Sequence, residues 1–294
     1  LIESKILGKT PVSISDKYPA KRAFITGAGS GLGLAFALAL AKDGWTLGVT
    51  ELNKERLNSA VSAVTAAGAK GVCGYLFDVA DHAKFKTAVE AFSKKNGGID
   101  LGINNAGIGC GGLFDEVPID AFHKVIETNL MGVANGCHLF VPLMKKQGHG
   151  QILNVASAAA FATAPRMSAY SVSKAGVVAL SECLKAELAD SNVAVSVLCP
   201  SYARTNIGND SIGANTDRAY SRLLVNEASL SAEQVVESAF KGIAEEKLYI
   251  VLPEDVRFLW RYKRLMPEQY WRVIKTATAK KVEQLEAKIK ACTD

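Results

Sequence analysis

No two cysteines in this sequence stand at CxxC spacing, and no apolar run approaches the roughly 20 residues that cross a bilayer. Cys73, Cys110, Cys137, Cys183, Cys199 and Cys292 are scattered, which excludes a dithiol motif and leaves reduced thiols that mostly fill the core. Histidine is scarce as well. His82, His123, His138 and His149 stand apart from one another and form no ligand-spaced cluster with cysteine or carboxylate, so no metal site is expected. Leu1 to Arg22 lacks the apolar core and cleavage site of a secretion signal, and the expected location is cytoplasmic. A large excess of one charge is missing too, since 34 Lys and Arg face 29 Asp and Glu. The whole net charge of +5 sits in residues 255–294, where ten basic residues meet five acidic ones; the other 254 residues balance at 24 and 24. A neutral body with a basic tail excludes nucleic acid as an expected partner, because that partner asks for a basic face on the fold itself.

What the chain does have is an alternation of short apolar runs with longer amphipathic stretches. This is the pattern of βαβ units, and it predicts a single-domain α/β fold with a doubly wound, Rossmann-type parallel sheet of about seven strands. Strands are expected at 23–26, 46–50, 71–77, 100–104, 150–156, 194–199 and 248–252. Leu32, Ala35, Phe36, Ala39 and Leu40 recur at helical spacing after the first strand, and Gly44 closes their helix. Further helices are expected to Ala67 and over 81–95, 119–144, 168–188 and 231–246, the last with Ser231 as N-cap and Gln234 three residues on. The polar stretch 201–230 reads as a loop with short helical pieces. The division expected is an N-terminal extension over 1–22, a dinucleotide-binding catalytic domain over 23–252 and a helical tail over 253–294.

Thr26-Gly27-Ala28-Gly29-Ser30-Gly31-Leu32-Gly33 falls between the first strand and the first helix. Glycines there let the backbone turn tightly and approach a pyrophosphate, whose charge rests on free amides at the helix N-terminus. Gly27, Ser30, Gly31, Leu32 and Gly33 are therefore candidate cofactor contacts. Glu51 ends the second strand, 18 residues after Gly33. A carboxylate at that point can accept hydrogen bonds from both ribose hydroxyls and repels a 2′-phosphate, which favours NAD over NADP. Lys54 and Arg56 stand nearby and blunt the preference, but the glycine loop itself holds no basic residue.

Here the chain resembles the short-chain dehydrogenase/reductase family, from about Ala23 to Leu252. The glycine loop matches that family's TGxxxGxG form. Asn129, Ser157, Tyr170 and Lys174 match its catalytic tetrad, including the 13-residue step from Ser to Tyr and the YxxxK motif. The resemblance implies that Asp78 and Val79 contact adenine, and that Asn104-Asn105-Ala106-Gly107 steadies the central sheet beside the cofactor. It also implies a turn at Pro200 and a contact between Thr205 and the nicotinamide carboxamide. Ser201 departs from the pattern, standing where relatives usually carry Gly.

The tetrad's residue types suit carbonyl reduction, which needs a hydride from nicotinamide and a proton for the developing alkoxide. Tyr170 and Lys174 are i and i+4 on one helix face, and the ammonium is expected to pull the phenol's pKa down from about 10. Ser157, at the carboxyl end of the fifth strand, can hydrogen-bond the substrate oxygen. Asn129, by the resemblance, holds a water that links Lys174 to solvent. Cys110, Ala158, Ala159, Phe161, Met167 and Tyr202 are expected around the substrate; no Arg or Lys is clearly placed to clamp an anion, which favours an apolar or aromatic secondary alcohol or ketone. The expected function is NAD(H)-dependent oxidoreduction at such a carbon. The alternatives are an NADPH-dependent ketoacyl or carbonyl reductase, an extended-type epimerase or dehydratase, and a catalytically silent dinucleotide-sensing regulator. The intact tetrad argues against the last, and the short tail argues against the epimerase. Expected partners are the small-molecule substrate and further copies of the chain, as a homodimer or homotetramer.

In the tail, Val256, Phe258, Leu259, Trp260, Tyr262, Leu265 and Met266 gather just beyond the last strand. After Pro267, Trp271, Ile274, Thr278, Val282, Leu285 and Ile289 recur at steps of three and four. The expectation is that this stripe docks on protein, with the Phe258–Met266 segment bordering the substrate cleft. Peripheral contact with an anionic membrane is the weaker alternative, because Glu283 and Glu286 interrupt the basic face.

Overall fold

Parallel strands need a crossover rather than a hairpin, and each crossover helix must bury one apolar stripe against the sheet. The computed structural model, which describes residues 13–205, 211–213, 228–277, 279 and 283, resolves those demands in one seven-stranded sheet. Its strands are β1 (Arg22–Ile25), β2 (Thr46–Glu51), β3 (Gly71–Leu76), β4 (Leu101–Asn104), β5 (Gly150–Val155), β6 (Val193–Pro200) and β7 (Tyr249–Leu252). They run β7-β6-β5-β4-β1-β2-β3, every pair parallel. The order reverses between β1 and β4, the switch point at which open α/β sheets leave a crevice. The doubly wound Rossmann-type sheet expected from the sequence is thus the one observed.

The helices are α1 (Ile14–Lys17), α2 (Gly31–Lys42), α3 (Lys54–Ala66), α4 (His82–Asn96), α5 (Ile119–Ile126), α6 (Gly132–Gln147), α7 (Ala159–Ala162), α8 (Ser168–Glu187), α9 (Ala232–Ala244), α10 (Glu254–Leu265) and α11 (267–277). Alternation along the strands splits the core in two. Ile25, Leu47, Val49 and Ile103 pack with α2, α3 and α9 through Phe36, Leu40, Leu57, Val64, Val235 and Ile243. Phe24, Ile152, Val195 and Val197 face α4, α6 and α8 through Phe85, Phe92, Phe140 and Val177. Phe24 is fully buried, with the rings of Tyr75, Phe85, Phe92 and Phe140 at 5.7, 6.0, 5.6 and 6.0 Å. A side chain so enclosed contributes roughly 1.5–3 kcal/mol by burial alone.

The structure adds detail at four places. The helical region expected over 119–144 is present, with a π turn, Glu127–Met131, whose wider winding lies between α5 and α6. The described part of the N-terminal extension, from residue 13 on, packs against the body: Ile14 and Tyr18 belong to the core, and Trp45 donates to Ser15 at 2.9 Å. In the stretch 201–230 the described residues contribute strand pairs, and 206–210 and 214–227, where helical pieces were expected, lie outside the described residues. Ala203–Arg204 pairs with Leu230–Ser231, and Ile212–Gly213 pairs with Cys110–Gly111. In the tail, docking on the chain's own body covers one side only. Trp260 and Tyr270 face inward, whereas Phe258 and Leu265 are 71% and 79% exposed and Trp271 is 44% exposed. Thr278, Val282, Leu285 and Ile289 lie outside the described residues.

Candidate active site

Because all seven strands are parallel, their carboxyl ends meet at one edge, and the candidate residues collect there. The loop after β1 has Gly27 and Gly31 at φ +63° and +54°, conformations that side chains resist. Thr26 Oγ1 accepts the amides of Asn105 and Ala106 at 2.9 and 3.0 Å, and Asn105 Nδ2 donates to the carbonyls of Thr26 and Gly27 at 3.0 and 3.1 Å. The Asn-Asn-Ala-Gly segment after β4 therefore clamps the glycine loop. The loop then runs into α2, whose N-cap Ser30 makes no side-chain capping bond and whose first turn has no acidic residue. By contrast Asn53, Asp81 and Ser231 cap α3, α4 and α9. An uncapped helix start behind glycines fits the pyrophosphate of a dinucleotide.

Glu51 sits beside this loop. Its Oε2 accepts the Gly29 amide at 3.1 Å, and its Oε1 accepts the amides of Leu52 and Asn53 at 2.9 and 3.3 Å. A Cβ on residue 29 would overlap the carboxylate, so a larger residue there would make the Glu51 side chain shift. Asp78, after β3, is paired with Lys124 at 2.8 Å and accepts the Ala80 amide at 3.0 Å. Burial pushes its pKa up, but these partners outweigh burial and hold the carboxyl below its usual range. The Val79 carbonyl accepts Asn135 Nδ2 at 2.9 Å, and the Val79 side chain is buried.

The structure brings all four tetrad residues together. Ser157 follows β5, and its Oγ accepts the Ala159 amide at 3.1 Å. Tyr170 and Lys174 lie on α8, with the Lys174 Nζ 5.7 Å from the centroid of the Tyr170 ring. That Nζ donates to the Val155 carbonyl at 2.9 Å. Asn129 occupies the π turn and is fully buried; its Oδ1 accepts the Ile108 amide at 2.8 Å while its Nδ2 donates to the Ile108 carbonyl at 2.9 Å. Asn129 Nδ2 also reaches Ser173 Oγ at 3.2 Å, and that hydroxyl donates to the Tyr170 carbonyl at 2.7 Å. Gly107 lies between Asn129 and Lys174: a Cβ there would stand 3.1 Å from Asn129 Oδ1 and 3.4 Å from Lys174 Nζ.

Burial dominates the electrostatics. It raises the Tyr170 phenol above its usual range, against an opposing hydrogen bond with Ser157. It also pulls the Lys174 ammonium down to about 8, with Cys199 nearby acting the other way. The expected lowering of the Tyr170 pKa by Lys174 is therefore not what the protein alone displays, because both groups lie in a low-dielectric interior.

The substrate-side candidates divide. Met167 is the N-cap of α8, and the half-exposed Tyr202 places its hydroxyl 3.5 Å from the Met167 sulfur. Ala158 and Ala159 lie directly after Ser157, and Ala158 donates its amide to the Pro200 carbonyl at 2.8 Å. Phe161, expected near the substrate, stacks its ring on Trp260 with centroids 4.4 Å apart, which ties it to α10. Cys110 packs with Val125 and Ala169 in a small buried cluster. Thr205 directly precedes the undescribed residues 206–210.

Sequence reasoning missed Thr26 as an acceptor for two amides and missed Lys263, whose Nζ donates to the Phe161 carbonyl and to Thr163 Oγ1, both at 2.8 Å. The hydroxyl at the start of the glycine motif was a usable signal for the first; nothing in the sequence marked the second. Among the described residues no His, Cys, Asp and Glu group could hold a metal, and no helix is long and apolar enough to cross a membrane.

Comparison with known proteins agrees with this geometry. The short chain dehydrogenase family matches residues 21–215. The probable oxidoreductase EphD of Mycobacterium tuberculosis is 30% identical over 255 residues, which is 83% of this chain; the chain spans only 43% of that protein's length. The cyclohexanol dehydrogenase of an Acinetobacter species is 34% identical over 193 residues, covering 65% of this chain and 76% of the relative. Among solved structures, a short chain dehydrogenase/reductase from Burkholderia phymatum in complex with NAD superposes with a TM-score of 0.80 at 32% identity, over 85% of this chain and 94% of its own. The chain belongs to the short-chain dehydrogenase/reductase family.

Proposed function

We propose that this protein interconverts an apolar or aromatic secondary alcohol and its ketone, with NAD(H) as the redox partner. The observation that carries the cofactor choice is the Glu51 carboxylate, held on the Gly29 amide beside the uncapped start of α2. A fixed negative charge there can accept ribose hydroxyls and opposes a 2′-phosphate. The Burkholderia relative with bound NAD supports the same choice. Gly27, Ser30, Gly31, Leu32 and Gly33 would hold the pyrophosphate. Asp78 and Val79 would border the adenine, and Asn105, Ala106, Gly107, Pro200 and Thr205 the nicotinamide side. When bound, the dinucleotide supplies or accepts the hydride.

The chain's own residues handle the proton. Tyr170 gives its phenolic proton to the forming alkoxide, or takes it back from an alcohol. Ser157 donates to the same oxygen and stabilises its charge. Lys174, still largely protonated at neutral pH with a pKa near 8, favours the tyrosinate that remains and offsets part of the burial cost. Asn129, between Ile108 and Ser173, keeps the Lys174 side open for a relay water. The name of the cyclohexanol-oxidising relative agrees with an uncharged cyclic substrate. The test is initial-rate absorbance at the reduced-nicotinamide band, with NAD(H) and NADP(H) each against cycloalkanols, aryl ketones and a ketoacyl thioester. Turnover of the uncharged alcohols with NAD is expected. Preference for NADPH with the thioester would establish the ketoacyl reductase instead, and no turnover with either cofactor would favour the regulator.

A further inference from the structure

The short helix α7 begins two residues after Ser157, and its two ends are held by different parts of the chain. At its start, the Ala159 amide donates to Ser157 Oγ at 3.1 Å. The hydroxyl accepts that amide with one of its two lone pairs and directs its proton toward the Pro200 carbonyl at 3.5 Å, a long contact that a better-placed oxygen can replace. At its end the last carbonyls have no intrahelical partner, as in any helix. The C-terminal helices meet them. Lys263 Nζ, on α10, donates to the Phe161 carbonyl at 2.8 Å and to Thr163 Oγ1 at 2.8 Å. The Tyr270 hydroxyl, on α11, donates to the Ala162 carbonyl. Three consecutive residues are gripped by two side chains more than 90 positions further along the chain.

The grip itself is built. Tyr270 is only 1% exposed. Lys263 Nζ lies 5.5 and 5.1 Å from the ring centroids of Tyr270 and Trp271, and the Trp260 ring stacks on Phe161. It also acts on a strained point. Thr163 has φ 43°, a left-handed conformation that a β-branched residue resists, and such strain persists only where surrounding contacts over-determine it. Lys263 bonds that very side chain. On the far side of the segment, Gly112 donates its amide to the Arg166 carbonyl at 3.0 Å.

We propose that Lys263 and Tyr270 are positioning residues for Ser157, and that the C-terminal helices complete the active site by fixing the far end of α7. The inference rests on the reading of Ser157 as the group that stabilises the substrate oxygen. Loosening 161–163 frees a one-turn helix, which carries the Ala159 amide away from Ser157 Oγ and lets that hydroxyl rotate.

The experiment compares Lys263→Met, Lys263→Arg and Tyr270→Phe in the full chain. Lys263→Met keeps the aliphatic stem but no donor; Lys263→Arg keeps a donor. Lys263→Met is expected to lower kcat by about ten-fold, within the roughly hundred-fold that an ångström of misplacement costs. KM for the dinucleotide should stay within about two-fold, because its loop is clamped elsewhere by Asn105. Tyr270→Phe should fall in the same direction by less, and Lys263→Arg should recover most of the lost turnover. Amide hydrogen exchange at Ala159, Ala162 and Thr163 should speed up in Lys263→Met while the amides of 27–33 stay as they were. A lower melting temperature with unchanged kcat and unchanged exchange at 159–163 would overturn the proposal, since the tail would then only stabilise the fold. Absence of turnover in the unmodified protein would instead sink the oxidoreduction roles, and the exchange measurement would still decide whether the grip holds α7.

Discussion

At the amino ends of the strands, the buried Asp100 carboxylate takes three donors from Arg22, its amide and Nε at 2.9 Å and Nη2 at 2.7 Å, and lies 3.0 Å from His149 Nε2. Gln147 closes the same edge by exchanging both its amide groups with the backbone of Ile99, at 3.1 and 3.0 Å. At the carboxyl ends the accounting differs. The start of α2 has no side-chain cap, Lys174 is buried on a single carbonyl, and the Tyr170 hydroxyl is enclosed. One edge of the sheet satisfies its polar groups within the protein, and the other holds them ready for something that arrives. Substitutions at the first edge should therefore cost stability without touching turnover, and those at the second should do the reverse.

The largest effect expected is on turnover. Tyr170→Phe keeps the ring and its packing but removes the proton donor, so kcat should fall by roughly 10²–10⁴ while dinucleotide affinity, measured by fluorescence titration, is unchanged. Near-normal turnover would move the acid–base role elsewhere. At the opposite edge, Asp100→Ala leaves the partly buried Arg22 guanidinium without its carboxylate and should cost about 3 kcal/mol in urea unfolding, with kcat/KM intact. Burial pushes the Asp100 pKa up, but its partners, Arg22 first, hold it below the usual carboxylate range. Its contribution is therefore present above that range and lost as pH falls through the lowered folded value. The variant should show a flatter acid limb, and equal acid sensitivity in both proteins would rule the pair out as its source.

Lys174→Met should separate the two currencies, abolishing most turnover while raising stability. The folded ammonium titrates near 8 and the unfolded one near 10.4, so the unfolded chain holds more protons between those values. The cost of burying the charge is full below pH 8 and fades as pH rises toward 10. Methionine removes that cost of about 3 kcal/mol but leaves the Val155 carbonyl without this donor, for a net gain of roughly 2 kcal/mol at pH 7 that shrinks in alkali. A melting temperature below that of the unmodified protein at pH 7 would contradict this. The smallest effect concerns Glu51→Ala, which frees the Gly29 amide and lifts the repulsion of a 2′-phosphate. The ratio of kcat/KM for NAD over NADP should swing toward NADP by about ten-fold, and a constant ratio would show that Glu51 does not choose the cofactor.

How far the sequence could be read follows the same divide between local and distant causes. The strands of the buried parallel sheet are short apolar runs, and the expected boundaries fall within a residue or two of β1 to β7. The π turn at Glu127–Met131 was not legible, since it changes helical winding without changing the apolar period that signals a helix. The glycine loop and YxxxK motif were legible because each lies within a few consecutive residues. The stacking of Phe161 on Trp260 was not legible, because position relative to Ser157 gives proximity but not direction.

The residue order alone determined the βαβ alternation, the glycine turn at the start of α2, and the sharing of one helical face by Tyr170 and Lys174. All three follow from periodicity and short spacing along the chain. Tertiary structure decided the rest. It brought Glu51 onto Gly29, enclosed Tyr170 and Lys174 deeply enough for burial to govern their pKa values, and set Lys263 and Tyr270 on the end of α7. The physical reason is that desolvation and hydrogen-bond geometry depend on which surfaces meet, and those at the end of α7 come from segments 100 residues and more apart.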